Sequence, residues 1–336
     1  MARLDLTRAQ ILGHRRAVGA LDARLPLGAD GLRRAAWAGL QDSMPRAALL
    51  SIHARVEGTQ PTTWEDPSLV QVWGPRFSAY VIAAEDRAIF TLGRLPDDPA
   101  RRRRAEETAD ELEALLDDRR MSYGDAGRDV GGNPNRFRYA APTGRVLMRW
   151  DGAHRPTVWM VPAPAVDPHE ARLELARRYL HVFGPATPET FAVWAGIKPD
   201  RGRAAFTALQ RSLTLVRTPT GGASILTADE PTFRAVHEPA AAARLLPSGD
   251  TFFLLWGADR DVLVPDAARR PLLWTPRVWP GAVLVDGEVV GTWRRAGTEV
   301  AVDVWRRFSA DERAAVEAEA ASFPLPETRG PIRVRW

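Results

Sequence analysis

The chain has 336 residues, 45% of them hydrophobic and 26% charged, with a formal net charge of +4. That length predicts two to four domains of roughly 100 residues each, and the balance excludes a disordered or fibrous chain. The complete absence of cysteine removes disulfide frameworks, thiol nucleophiles, zinc ribbons and cysteine-held iron–sulfur clusters.

All but one of the 46 basic residues are arginines, Lys198 being the exception. A GC-rich genome produces that bias, and so does selection for guanidinium contacts to phosphate and base edges. The charged first ten residues lack the apolar core of a signal peptide, and no run of 18 apolar residues occurs. A cytoplasmic protein with no membrane partner is expected.

Helical patterns over residues 7–21, 31–40 and 45–56 come first, followed by strand patterns over 69–73 and 79–82 across a Gly74-Pro75 turn. Residues 96–120 also read as helix. Its Arg101–Arg104 run offers charge to phosphates, but Arg102 and Arg103 precede Glu106 and Glu107 by four residues, the spacing of ion pairs on a solvated face. A loop at 131–135 leads into Arg136, Phe137, Arg138 and Tyr139. Such a mixture either enters a DNA groove or merely connects elements. A hairpin over 145–150 and 156–161 turns at Asp151-Gly152.

Residues 167–231 read as a complete winged helix. A helix over 168–183 stops at Gly184, and a second begins with Thr187 as cap and Pro188 as first residue. A third helix over 200–212 precedes two strands joined through Thr-Pro-Thr-Gly-Gly. Winged helices lay the third helix in the major groove and rest the wing on the backbone. Arg201, Arg203, Arg211 and Arg217 are therefore candidates to face DNA, against the ordinary alternative of a solvated helix face. From 249 to 305 the pattern turns to strands, with a small barrel or sandwich expected, closed by a helix over 311–321.

The phosphate-cradling, dinucleotide-binding and serine-elbow motifs do not occur. The six histidines are scattered without metal-ligand spacing, so no catalytic metal is expected. A polar cluster, Gln41-Asp42-Ser43, sits between the second and third N-terminal helices. Asp42 or Ser43 suits the cap of the helix beginning near Pro45, whereas capping leaves Gln41 unexplained.

Gly39-Leu40-Gln41-Asp42-Ser43 followed by Pro45 resembles the segment of the AlkZ/YcaQ-type DNA glycosylases that carries a Gln-x-Gln or Gln-x-Asp catalytic motif. The similarity continues through Arg149-Trp150-Asp151-Gly152, Arg177-Arg178-Tyr179-Leu180, Gly184-Pro185-Ala186-Thr187-Pro188, Trp194-Ala195-Gly196 and Gly291-Thr292-Trp293-Arg294. The resemblance implies an α+β fold of tandem winged helices and a C-terminal β-barrel. The expected units are an N-terminal winged helix over 1–96, a helix plus hairpin over 97–166, a winged helix over 167–235 and the barrel over 236–336.

It implies a monomer that binds double-stranded DNA, associates with the nucleoid, needs no cofactor, and excises alkylated purines or unhooks crosslinks. Gln41 would orient the water, with Asp42 as charge stabiliser or base and Ser43 as the alternative. Ser43 stands where the family motif has its second Gln or Asp. An Arg-Gly-Thr-x-His element of many relatives reads Arg76-Phe77-Ser78-Ala79-Tyr80 here, so only the arginine is kept, and Arg76 joins Arg136 and Arg138 as a candidate to contact DNA. The competing expectation is a DNA-binding protein without catalysis.

Overall fold

A computed structural model of the chain describes residues 4–150, 152, 156–235, 238–239, 241–325 and 330–336. Asp151, His154 and His237 lie outside the described residues. The fold is mixed α+β, with three sheets among the described residues.

The six-stranded sheet runs in the order Leu40–Gln41, Ala79–Ala83, Leu69–Trp73, Val146–Arg149, Thr157–Met160 and Met121–Ser122. Its strands come from both sides of residue 96. Gln71 pairs with Met148, so the first two expected units share one sheet. Residues 31–40, expected as helix, divide differently. The helix spans Ala29–Ala35, and Leu40–Gln41 pairs antiparallel with Val81 and Tyr80. Gly39, at φ +72°, makes the change of direction, a conformation that costs glycine little.

The next helices form where the local signals place them. Asp167 Oδ1 accepts from the backbone N–H groups of His169 and Glu170 at 2.8 and 3.1 Å, starting the Pro168–Phe183 helix. Thr187 and Thr190 form a reciprocal capping box at the start of Pro188–Ala195. Tyr179, Phe183, Phe191 and Trp194 bury their rings against one another, with neighbouring centroids 4.9 to 6.4 Å apart. Pro199–Leu209 and the hairpin Leu213–Thr218 and Gly221–Leu226 complete this unit. Its sheet gains a third strand from Leu4–Asp5, which pairs parallel to the hairpin.

The C-terminal sheet has five strands: Ala243–Leu246, Gly281–Val285, Glu288–Ala296, Glu299–Val304 and Arg333–Arg335. The Ala310–Ala321 helix buries Val316 and Ala320 in the same core as Val283, Trp293 and Val300. This core also takes Leu50 from the N-terminal unit. The loop between the first two strands therefore reaches back toward Gln41, and it brings Gly249 and Trp256 to the site described next.

Candidate active site

Gln41 ends the short edge strand of the six-stranded sheet and is half-buried. Its amide is held from two sides. Arg76 Nη2 donates to Gln41 Oε1 at 3.1 Å, which leaves Nε2 on the other side of the amide, where Gly249 lies. A Cβ on Gly249 would stand 3.2 Å from Gln41 Nε2, and Gly249 has φ +76°. Arg76 itself sits in the left-handed region at φ +54° and lies over the Trp256 ring, 4.1 Å from its centroid. Gly196, the left-handed cap of the Pro188–Ala195 helix, abuts the Arg76 backbone. A Cβ there would stand 2.9 Å from its nitrogen. Gln41, Gly196 and Trp256, from three separate parts of the chain, thus meet at Arg76.

Asp42 faces the other way. It is buried, and its backbone N–H donates to Ala79 O at 2.8 Å, extending the strand pairing. Its Oδ1 accepts from Ala48 N at 3.0 Å, near the start of the Ala47–Arg55 helix, and its Oδ2 accepts from Gln71 Nε2 at 2.6 Å. Gln71 is oriented by Trp150, whose N–H donates to Oε1 at 2.6 Å and whose carbonyl accepts from Nε2 at 3.1 Å. The carboxylate is therefore turned into a helix end, as a cap is. No ion pair to Asp42 occurs among the described residues, and burial pushes its carboxyl up to about 6, against the two hydrogen bonds that favour the charged form. Ser43 is exposed.

A family model described as DNA glycosylase AlkZ-like matches residues 34–324. The chain belongs to the AlkZ-like DNA glycosylase family. An interstrand DNA cross-link repair glycosylase from Streptomyces sahachiroi is 33% identical over 180 residues, 50% of this chain and 46% of that protein. The matched stretch thus spans about half the length of that relative. The solved structure of Streptomyces sahachiroi DNA glycosylase AlkZ aligns with a TM-score of 0.79 at 20% identity, covering 99% of this chain and all of that one. The AlkZ-like fold accordingly extends across the whole chain, including the C-terminal sheet.

On this AlkZ-like frame the arginines read from sequence are placed unequally. Arg76 touches Gln41. Arg201 pairs with Asp97 at 2.9 Å, Arg203 with Glu189 at 3.5 Å and Arg217 with Asp5 at 2.8 Å. Arg136 pairs with Glu111, Arg138 is exposed beside Tyr123, and Arg211 is exposed. Among the described residues none of these six bonds to Gln41, Asp42 or Arg76.

Sequence reading missed Gln71, Gly249 and Trp256. No local motif links them to residue 41, and their part in the site comes from long-range pairing alone. Tyr80 stands opposite Gln41 in the ladder, fully buried, and its hydroxyl has no hydrogen-bond partner among the described residues.

Proposed function

We propose that the protein is a monofunctional DNA N-glycosylase acting on cationic alkylpurines in double-stranded DNA, alkylated or crosslinked. Support comes from family membership and from the name of the Streptomyces relative, and the observation that carries the site assignment is the Arg76–Gln41 hydrogen bond. In the same reading the Pro168–Leu226 region and the N-terminal unit serve as winged helices, the C-terminal sheet is the barrel, and a monomer works on nucleoid DNA in the cytoplasm.

A cationic alkylpurine is already a good leaving group. It departs with the electron pair of the N-glycosidic bond and becomes neutral, leaving an oxocarbenium-like sugar. Water adds to the anomeric carbon and passes a proton to bulk solvent. Gln41 is assigned the water. With one Oε1 lone pair engaged by Arg76, the other accepts from the water and sets its direction of approach.

Asp42 does not touch this water, since both its oxygens accept from Ala48 and Gln71. It acts one residue away, as a buried negative charge with no ion-pair partner among the described residues. In a low-dielectric surrounding such a charge favours the developing positive sugar. Ser43, exposed beside it, holds the place of the second motif residue and offers a hydroxyl in the amide's stead.

The turn of Asp42 into the helix end favours a second reading, a winged-helix DNA-binding protein without excision. One experiment separates the two. The protein is incubated with a methylated duplex and the supernatant is analysed by chromatography for free 3-methyladenine and 7-methylguanine. Free base establishes the glycosylase; DNA binding without free base establishes the second reading.

A further inference from the structure

Arg277, Arg294 and Arg295 form no ion pair among the described residues, and together they border one groove and the depression beside it. The groove encloses 280 Å³ between the Met44–Pro45 turn and the segment ending at Trp279 and Pro280. It opens past Val278 and Arg294 into a wider depression of 470 Å³ beside Arg277. Among the described residues no acidic side chain lines either part.

Its floor is apolar, supplied by Met44, Trp279 and Val278, the last 44% exposed. Arg294 Nη2 donates to Val278 O at 2.9 Å, which ties this segment to the sheet and leaves the remaining guanidinium donors outward. Ser248 also lines the groove, and the next residue is Gly249, which abuts Gln41. The lining of the groove thus reaches the residue next to Gly249, beside the candidate active site.

We propose that this groove is a subsite for an unpaired stretch of the DNA strand passing Gln41; the assignment rests on the reading that the protein acts on DNA. The chemistry selects that occupant. Three unpaired guanidiniums without an opposing acid suit a polyanion, and phosphodiesters are the polyanion that arrives with the substrate. An indole and two apolar side chains suit the flat face of a base. Base faces inside a duplex are covered by their neighbours, so only an unstacked nucleotide gains from this floor. The protein consequently prefers DNA already opened beside the target, such as a gap or bulge, over intact duplex.

Fluorescence anisotropy tests this with the full-length protein and two labelled undamaged probes: an intact duplex and the same duplex carrying a three-nucleotide single-stranded gap. The parent is expected to bind the gapped probe roughly tenfold more tightly, the factor that one stacked base typically contributes. Arg277→Glu combined with Arg294→Glu, both exposed, should remove that preference. Arg101→Glu combined with Arg103→Glu, in the exposed run of the Pro99–Leu116 helix, makes the same change in net charge and should retain it.

Equal affinity of the parent for the two probes overturns the proposal. So does a preference that survives the Arg277→Glu, Arg294→Glu double substitution, or one that the Arg101→Glu, Arg103→Glu variant loses equally; a groove built for a peptide gives one of these results. Base release from an intact methylated duplex is read separately, and its failure ends the glycosylase reading without altering the affinity comparison.

Discussion

Arg76 Nη2 lies 3.1 Å from Gln41 Oε1 while the same guanidinium stacks 4.1 Å over Trp256. Arg76 is half-buried against the proposed catalytic amide, and desolvation lowers its pKa. Stacking fixes the plane of the guanidinium, and the hydrogen bond then fixes which end of the Gln41 amide is oxygen.

Gln41→Ala should slow release of a cationic alkylpurine on the order of 10²-fold, the usual effect of losing one positioned hydrogen bond in a transition state. Duplex affinity should stay within about twofold, because the lost contact is to water rather than DNA. Single-turnover release at the parental rate would remove Gln41 from the mechanism.

Arg76→Lys keeps a positive charge but loses the planar fork that stacks and bonds together. If Arg76 positions Gln41, kcat falls by roughly tenfold and KM barely moves, since one hydrogen bond of about 1 kcal/mol is lost only where Gln41 acts. A phosphate-binding arginine would show the reverse split. Its substitution would raise KM and reduce the salt dependence of binding.

Gly249→Ala tests the opposite side of the amide. The added Cβ would come within 3.2 Å of Gln41 Nε2 and would hold alanine at φ +76°. The backbone strain costs about 1 kcal/mol, visible as a small fall in melting temperature. The displaced amide should lower excision by more than the stability loss accounts for. A variant that loses melting temperature yet excises at the parental rate would place Gly249 in the fold alone.

Much of this architecture is legible locally. Pro168 and Pro188 follow side chains that cap, and both helices start there. Leu40–Gln41 was not legible as strand, because two residues acquire that state only by pairing with Val81 and Tyr80, some forty positions away. The same holds for the site. Gln41 stands out because capping does not explain it, whereas Gln71, Trp150 and Gly249 reach it through tertiary contacts without a sequence period. The local pattern also leaves Arg203 and Arg217 exposed and Arg201 half-exposed. It gave no sign of Asp97, Glu189 and Asp5, the carboxylates opposite them.

Asp42→Asn is less innocent than capping propensity suggests. Both carboxylate oxygens accept N–H groups, from Ala48 and Gln71, and Gln71 cannot reverse its amide while Trp150 holds both ends. An asparagine must aim its own NH₂ at one of these donors. The variant should lose about 1–3 kcal/mol, the cost of unsatisfied buried groups, read as a lower denaturation midpoint with an unchanged slope. Its excision should also fall, because the buried charge is gone. In the parent, excision should decline as pH drops through about 6, where Asp42 takes up a proton. A flat rate between pH 7.5 and 5 would separate Asp42 from the chemistry.

Acid stability supplies the remaining test, and two histidines set its sign. His14 is stacked on Phe233 at 3.7 Å with its Nε2 bound to His181 O, and burial lowers it to about 4. His53, between Thr59 and Ser322, is lowered to about 3 by burial and by the charge of Arg24. Below pH 6.5 the unfolded chain protonates both while the folded chain does not, so stability falls with pH as protons bind the unfolded state. Asp42 works in the opposite sense: its folded pKa of about 6 exceeds the ordinary 3.8, so below pH 6 the folded state holds a proton that the unfolded state lacks. Two histidines outweigh one aspartate, leaving a net loss of about one proton's linkage, roughly 1.4 kcal/mol per pH unit between pH 6 and 5. Carboxylates lowered by ion pairs, such as Asp86 beside Arg178 and Arg33, add their loss only below that window. Melting temperatures measured at half-unit steps from pH 7 to 5 should therefore decline, and the slope should reverse in the His14→Gln, His53→Gln double variant, where the Asp42 contribution stands alone. Asp42→Asn should steepen the decline, having lost the counterweight. A parental profile that is level or rising toward low pH would mean that at least one of the two imidazoles titrates in the folded protein as it does in the unfolded chain.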